Sequence, residues 1–242
     1  MKTSFTIIGL VVLFSGGVFS SGGAWARILP PTEGYTIEVG FSEGLERRMT
    51  SINNVEQRLE ERFRRNRHDA YSSRQAGTQR FAKNRTAGTE WAGERLIGEV
   101  SDFTLPNLVK AMLAYNINRA VPDFAGQIEI QVTRLKLSNP PTAFLESFQS
   151  YVIGHIKVTD PDGSVLFDDK VTANLVVDTT VDTSYDGPEL AFVETDPSKR
   201  VGPTLAYFVK RALQQAWPEH EDDFVGPTIV RISGPNERVI LD

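Results

Sequence analysis

The side chains best suited to acid–base chemistry near neutral pH are the three histidines of the chain. His68 lies in an arginine-rich segment, His155 in an alternating apolar stretch, and His220 in an acidic run. No two of them have the spacing of metal ligands, and none shares a motif with a nucleophile. We therefore interpret all three histidines as solvated or structural side chains.

Acidic residues are the next candidates, because carboxylates bind metal ions. Residues 160–163, with the sequence DPDG, come nearest to a calcium-binding loop. They lack the alternating acidic ligands and the terminal glutamate of an EF-hand, and a tight turn accounts for both Asp and Gly. Asp168, Asp169 and the acidic run at residues 219–223 are expected to be solvated charges. The sequence predicts no metal site and contains no cofactor motif.

Nucleophilic catalysis has no recognisable signature in this chain. Neither a G-x-S-x-G elbow nor an S-x-x-K pair is present. The chain contains no cysteine, which excludes thiolate catalysis, disulfides and cysteine-bound metals. We therefore predict that the protein is not an enzyme.

The most unusual feature is a basic segment within an acidic chain. The formal net charge is −5, yet residues 46–85 carry 11 Arg or Lys against five Asp or Glu. Such a segment is typical of docking onto an anionic membrane, lipopolysaccharide, peptidoglycan or an acidic protein surface. Nucleic acid fits less well, because no aromatic stacking pattern accompanies the arginines. The predicted interaction surface consists of Arg58, Arg62, Arg64, Arg65 and Arg67.

These arginines belong to a predicted amphipathic helix over residues 50–67. Ile52, Val55, Leu59 and Phe63 fall at spacings of three and four, which places them on one stripe. Ser51 is the predicted N-cap, and residues 68–90 show no periodicity and are predicted to form a loop. The alternative to a binding role is that the arginines only form solvated i, i+4 pairs with glutamates such as Glu60.

A compact domain is predicted to begin near Trp91. We expect a helix after a Thr104 cap, strands at residues 128–137, 148–159 and 164–181, a second helix at 201–217, and a C-terminal hairpin. Residues 182–199 are acidic and are expected to be a surface loop. This order predicts an α+β fold, with two layers, an antiparallel sheet and two core helices on one face. The amphipathic helix is an N-terminal addition to it.

The N-terminus has the pattern of an export signal. Met1-Lys2-Thr3 precedes an apolar run, and Ala24-Trp25-Ala26 fits a signal peptidase site. An uncleaved anchor is the alternative, but the apolar run is shorter than the roughly 20 residues that a spanning helix needs. We therefore predict a signal peptide at residues 1–26, an N-terminal extension at 27–90, a core domain at 91–242, and a periplasmic location.

Residues 103–217 resemble a group of bacterial envelope proteins. The resemblance depends on two helices, a strand and a hairpin, with the sequences TLPNLVKAMLAYNINRA, RVGPTLAYFVKRALQQAW, IEIQVTRLKL and VIGHIKVTDPDGSVLFDDKV. The chain is similar there to YajG-like lipoproteins and to the auxiliary lipoproteins of ABC-type transport systems. It departs from them in having no lipidation cysteine and in carrying residues 46–90. The resemblance implies a non-enzymatic accessory role and no site residues.

The sequence therefore leaves three functional hypotheses. The leading one is an exported accessory or assembly protein of the bacterial envelope that contacts an envelope protein or an anionic membrane surface. The second is a binding module for an apolar or anionic envelope ligand held between the sheet and its helices. The third is a hydrolase with scattered catalytic residues, among them His155.

Overall fold

The computed structural model describes residues 34–69, 89–137, 150–175, 180–181, 185–193 and 196–230. The predicted signal peptide, most of the predicted loop at 68–90 and the end of the predicted C-terminal hairpin lie outside these ranges. Among the helices that the structure describes, none combines the length and the apolar character needed to cross a bilayer.

A four-stranded mixed sheet forms the centre of the α+β fold. Its strands are β1 (Tyr35–Phe41), β2 (Gly126–Lys136), β3 (Tyr151–Thr159) and β4 (Val165–Asn174), in the order β1-β2-β3-β4. Strands β2, β3 and β4 are antiparallel, as predicted, but β1 pairs with β2 in parallel. The expectation of a purely antiparallel sheet is therefore wrong. A parallel pair requires a long crossover, and the helices between β1 and β2 supply it.

The meander from β2 to β4 follows the predicted alternation of side chains. Its buried face consists of Ile128, Ile130, Val132, Val152, Ile156, Val158, Val171 and Ala173. Between β3 and β4, the Oδ1 atom of Asp160 accepts hydrogen bonds from the backbone N–H groups of Asp162 and Ser164, at 3.0 and 2.8 Å. Gly163 has a φ of 84°, which favours glycine. The DPDG segment is therefore the predicted turn.

Four α-helices lie in the described residues: α1 (Glu43–Asp69), α2 (Ala92–Leu96), α3 (Leu105–Ala120) and α4 (Gly202–Ala216). The two predicted core helices are confirmed as α3 and α4. The side chain of Thr104 accepts a hydrogen bond from the backbone N–H of Asn107 at 3.4 Å, which is the predicted N-cap of α3. Helices α3 and α4 contact each other, and α4 also contacts β3 and β4.

A second, parallel sheet contains β5 (Thr180–Val181), β7 (Pro227–Val230) and β6 (Leu190–Val193), in that order. All four residues of β6 are buried, so the prediction of a surface loop over 182–199 is wrong there. Four residues are too few to show a periodicity, and their acidic flanks concealed the strand. The predicted strand at 164–181 is divided between β4 and β5. Strand β7 pairs in parallel with both neighbours, and the predicted return strand lies outside the described residues.

Helix α1 is longer than the sequence predicted, because it begins at Glu43 instead of residue 50. The carbonyl of Ser42 accepts the first hydrogen bonds, from the N–H groups of Leu45 and Glu46. Ser51 therefore lies inside the helix, and its prediction as the N-cap is wrong. The acidic first turn favours this earlier start, since carboxylates stabilise the N-terminal end of a helix. Strand β1 and helix α1 both contact β2, so these parts of the predicted N-terminal extension pack against the core sheet.

Candidate functional site: helix α1 and the charge cluster beneath it

The side of helix α1 that faces the core is apolar at its ends and charged at its centre. Leu45, Met49 and Ile52 pack against the main core, and Phe63 packs against Trp91 with ring centroids 5.3 Å apart. Between them lie the carboxyl side chains of two glutamates that are almost completely buried. Glu56 is 2% exposed and Glu60 is 1% exposed.

The predicted apolar stripe is therefore wrong at one position. Val55 is 40% exposed, whereas its neighbour Glu56 takes the buried place. Ile52, Glu56 and Glu60 are spaced four residues apart, so they share one face of the helix. Hydrophobicity alone assigns Val55 to that face. It cannot predict two buried carboxylates, because their partner lies far away in the sequence.

That partner is Arg200, which lies just before α4. Its Nη2 atom is 2.6 Å from Oε2 of Glu60, and its Nε atom is 3.4 Å from Oε2 of Glu56. Its Nη1 atom lies 3.9 Å from Oδ2 of Asp196, and its guanidinium lies 5.3 Å from the ring centroid of Phe103. Arg200 therefore joins α1 to the segment that leads into α4.

Backbone groups complete this arrangement. The N–H of Val201 donates to Oε1 of Glu56 at 3.1 Å, and the N–H of Val193 donates to Oδ2 of Asp196 at 3.2 Å. Charged side chains are tolerated in an interior only when they are paired and hydrogen-bonded. The carboxylates of α1 and Asp196 meet that condition through one guanidinium and two backbone donors.

Arg64 extends the cluster toward α2. Its Nε atom donates to Oε1 of Glu60 at 2.8 Å, which confirms the predicted i, i+4 pair, although Glu60 is buried instead of solvated. Its two terminal nitrogens donate to the carbonyls of Gly93, Ile97 and Gly98. Only 17% of its side chain is exposed. Arg64 was predicted to be part of the interaction surface, but the structure turns it toward the core.

We refer to Glu56, Glu60, Arg64, Asp196 and Arg200 as the charge cluster. It contains three carboxyl groups and two guanidinium groups. Burial raises the pKa of Asp196 to about 6 and also raises the pKa of Glu56, against the opposing charge of Arg200. Burial lowers the pKa of Arg200, but the charges of Glu60, Asp196 and Glu56 outweigh this and raise it. The arginine is therefore always charged, and the carboxyl groups of Asp196 and Glu56 hold a proton more readily than they would in water.

The opposite side of α1 is exposed and basic. Arg58, Arg62 and Arg65 lie on it, as predicted, together with Arg47 and Arg48. Arg67 is within α1, but its side chain lies outside the described residues. Because Glu56 and Glu60 are buried, residues 43–65 expose five arginines against only three glutamates. Burial of the two carboxylates thus makes the surface more basic than the sequence suggests.

An open groove runs between this exposed side and a 3-10 turn at Val100–Asp102. Its lining includes Arg47, Asn54, Arg58 and Ser101, together with the carboxylate of Glu61. The side chain of Gln57 donates to the carbonyl of Ser101 at 2.9 Å, which fixes the base of the groove. Guanidinium, amide and hydroxyl groups side by side are suited to hydrogen bonding with an anionic or hydroxyl-rich ligand.

The histidines lie outside this site. The Nε2 atom of His155 is 3.1 Å from Oδ1 of Asp168, and both side chains are about half exposed on neighbouring strands. The Nδ1 atom of His220 is 3.2 Å from Oδ2 of Asp223 within one turn. The side chain of His68 lies outside the described residues. In the part of the chain that the structure describes, no grouping of His, Asp and Glu could hold a metal ion.

Sequence reasoning missed Glu56, Asp196 and Arg200. The one available signal was the position of Glu56 and Glu60 on the face of α1 that carries Ile52 and Phe63. Nothing local indicates that Arg200 meets them, since it lies 140 residues beyond Glu60. Comparison of the chain with protein-family models, with curated proteins and with solved structures finds no match.

Proposed function

We propose that this protein is an exported, non-enzymatic accessory or assembly protein of the bacterial envelope, and that the exposed side of helix α1 is its contact surface. Its partner would be an envelope protein or an anionic membrane surface. The observation that carries this proposal is the exposed arginine set of α1, from which the nearby carboxylates Glu56 and Glu60 are withdrawn into the core. A basic surface of this kind attracts anionic partners over several ångströms.

Three sequence features support this proposal. The predicted signal peptide at residues 1–26 would deliver the mature chain to the periplasm. The absence of cysteine leaves no thiol for an N-terminal lipid, so attachment to the envelope would depend on surfaces of the protein. The resemblance of residues 103–217 to envelope lipoproteins favours an accessory role. We further propose a two-layer domain in which α1 is carried in addition to the core helices α3 and α4.

Charge reversal tests the role of this surface. In the variant carrying Arg58→Glu, Arg62→Glu and Arg65→Glu, the buried side of α1 is unchanged. A matched control carries Arg134→Glu, Lys170→Glu and Lys199→Glu, which reverses the same number of exposed charges elsewhere. Cross-linking in cells with mass spectrometry, and flotation with vesicles of anionic phospholipid, measure contacts with proteins and with membranes. We expect the α1 variant to lose at least one of these contacts and the control to retain both. Equal behaviour of the two variants would refute the proposal.

The second candidate function, a binding module for an envelope ligand, is favoured by the groove beside α1. Its arginines and amides suit an anionic ligand more than an apolar one. Native mass spectrometry of the gently purified protein tests this candidate. A bound mass that disappears in the variants Arg47→Ala and Asn54→Ala would support it, whereas a protein that never carries an added mass would argue against it.

A further inference from the structure

Helix α1 is attached to the core through charged groups at its centre and through partly buried apolar groups at its ends. Within residues 43–65, only the side chains of Glu56 and Glu60 are buried. Both carboxylates contact Arg200, and Glu56 also accepts the backbone N–H of Val201. The apolar residues of α1 that reach the core are only partly buried. Whatever changes the charge of this cluster therefore changes how firmly α1 is held.

The docked state of α1 has a deficit of positive charge. Three carboxyl groups and two guanidinium groups share a site from which water is largely excluded, so full ionisation leaves one uncompensated negative charge. One added proton makes the cluster neutral. If α1 leaves the core, Glu56 and Glu60 enter water, and Asp196 no longer has two carboxylates near it. The released state therefore binds the proton less tightly than the docked state does.

We infer that the charge cluster is a proton-dependent latch for helix α1, which binds a proton when closed, releases it when α1 leaves the core, and so holds α1 more firmly at pH 5 than at pH 7.5. This inference deepens the proposed function and rests on it in one respect: the latch would set how freely the α1 surface can move toward a partner. The latch itself is measured without any partner.

The direction of the pH dependence of α1 docking follows from proton linkage. The pKa of Asp196 is about 6 with α1 in place and 3.8 for an unperturbed aspartate, and the pKa of Glu56 is raised in the same direction. A state with a raised carboxyl pKa binds protons more tightly, so acid favours the docked state between about pH 4 and pH 6. Well above pH 6, Asp196 is ionised in both states, and its contribution to the dependence on pH ends. Ordinary salt bridges, in which carboxyl pKa values are lowered, would give the opposite sign.

Among the described residues, the main charge effects on the pKa values of Glu56, Asp196 and Arg200 come from members of the cluster itself. Helix α1 presents Glu56, Glu60 and Arg64 to the cluster, and the segment before α4 presents Asp196 and Arg200. Helix α2 contributes the Gly93 carbonyl, its Glu94 is partly exposed, and its Arg95 pairs with Glu90. The residues after it contribute the Ile97 and Gly98 carbonyls, and the 3-10 turn at Val100–Asp102 is followed by the Phe103 ring. Glu99, Asp102 and Lys199 are exposed to solvent.

Amide hydrogen exchange of the full chain, read by mass spectrometry at pH 5 and pH 7.5, tests the latch. Protection factors remove the intrinsic effect of pH on exchange. A released helix of this composition is only marginally stable in water, so opening exposes the α1 amides. We expect α1 to be less protected than α3 at both pH values, and its protection to fall about tenfold from pH 5 to pH 7.5, given the pKa difference of Asp196.

Two variants identify the titrating groups. Asp196→Asn should remove most of the tenfold change, and the matched control Asp123→Asn, at an exposed position, should preserve it. If Asp196→Asn does not fold, Glu56→Gln provides the same comparison. The latch is refuted if α1 protection is independent of pH, if it rises with pH, or if α1 and α3 always exchange together. It is also refuted if the change with pH persists in both Asp196→Asn and Glu56→Gln. The charge-reversal test of Arg58, Arg62 and Arg65 leaves the cluster intact, so failure of the latch and failure of the proposed function are distinguishable.

Discussion

Helices α1 and α3 are attached to the same core in opposite ways. Of the ten residues that α3 buries, nine are apolar, and the tenth, Asn116, satisfies its side chain with the carbonyl of Met112 and the N–H of Val225. Helix α1 buries two glutamates and leaves a valine exposed. Helix α3 is held by removal of apolar surface from water, whereas α1 combines partly buried apolar contacts with a directional set of ionic contacts.

The two attachments are therefore expected to respond to different changes. Docking through apolar contacts is not directional, so it tolerates small displacements of the helix. It does not depend on pH, because no group in the contact titrates. Docking through buried charges depends on every partner, since the loss of one leaves the others desolvated and unpaired. The net contribution of such a cluster is small compared with the cost of breaking it. Substitutions in the two helices should therefore differ in size and in pH dependence.

The largest effect is expected from Arg200→Met. This change leaves Glu56 and Glu60 buried without their cation, which should lower the free energy of unfolding by about 3–5 kcal/mol at pH 7. Urea denaturation monitored by circular dichroism measures it. The adjacent exposed residue gives the control: Lys199→Met should change stability by less than about 0.5 kcal/mol. A loss below about 1 kcal/mol in Arg200→Met would mean that the cluster does not hold α1.

Leu113→Ala in α3 provides the hydrophobic side of the comparison. Leu113 is fully buried, so the truncation should cost about 3 kcal/mol through lost transfer energy and a residual cavity. This loss should be equal at pH 5 and pH 7.5. The loss in Arg200→Met should be smaller at pH 5, because without the arginine the carboxyl pKa values rise further and protonation relieves the unpaired charge. If the stability losses in Arg200→Met and Leu113→Ala changed equally with pH, the proposed difference in how α1 and α3 are attached would be contradicted.

Gly93→Ala should have the smallest effect of the three. A Cβ atom at this position would overlap Oε1 of Glu60, so the carboxylate must move away from Arg64 and Arg200. We expect a loss of roughly 1–3 kcal/mol from this overpacking, although alanine is otherwise the better helix former. Gly44→Ala, in the first turn of α1 where a Cβ meets nothing within 4 Å, is the control and should be neutral or stabilising. Both changes are read from urea denaturation, and equal stabilities of the two variants would contradict the packing of Glu60 against α2.

The parts of the fold that were predictable depend on neighbours in the sequence. Helix α3, the β2–β3–β4 meander and its DPDG turn carry periodic apolar residues, a cap and turn residues, each of which acts over a few positions. The parallel pairing of β1 with β2 was missed because a long crossover gives no local signal. Strand β6 was missed because four buried residues show no period.

The candidate site was predictable only on its outer side. Charge counting found Arg58, Arg62 and Arg65, since an exposed arginine needs no partner. It also assigned Arg64 to that surface. Nothing nearby in the sequence indicates that Arg64 donates hydrogen bonds to the backbone carbonyls of α2 and of the residues after it. The inner side was not predictable, because the burial of a glutamate depends on where a distant arginine lies.

Local sequence patterns were sufficient to predict that α1 is a helix, that it carries a basic face, and that no cysteine or recognisable catalytic motif accompanies it. Whether Val55 or its neighbour Glu56 is buried depends on the tertiary structure. Hydrophobicity favoured Val55, but packing brought Arg200 within 3.4 Å of both Glu56 and Glu60. A buried charge is stabilised by the charge that it meets, and that meeting exists only in the folded chain.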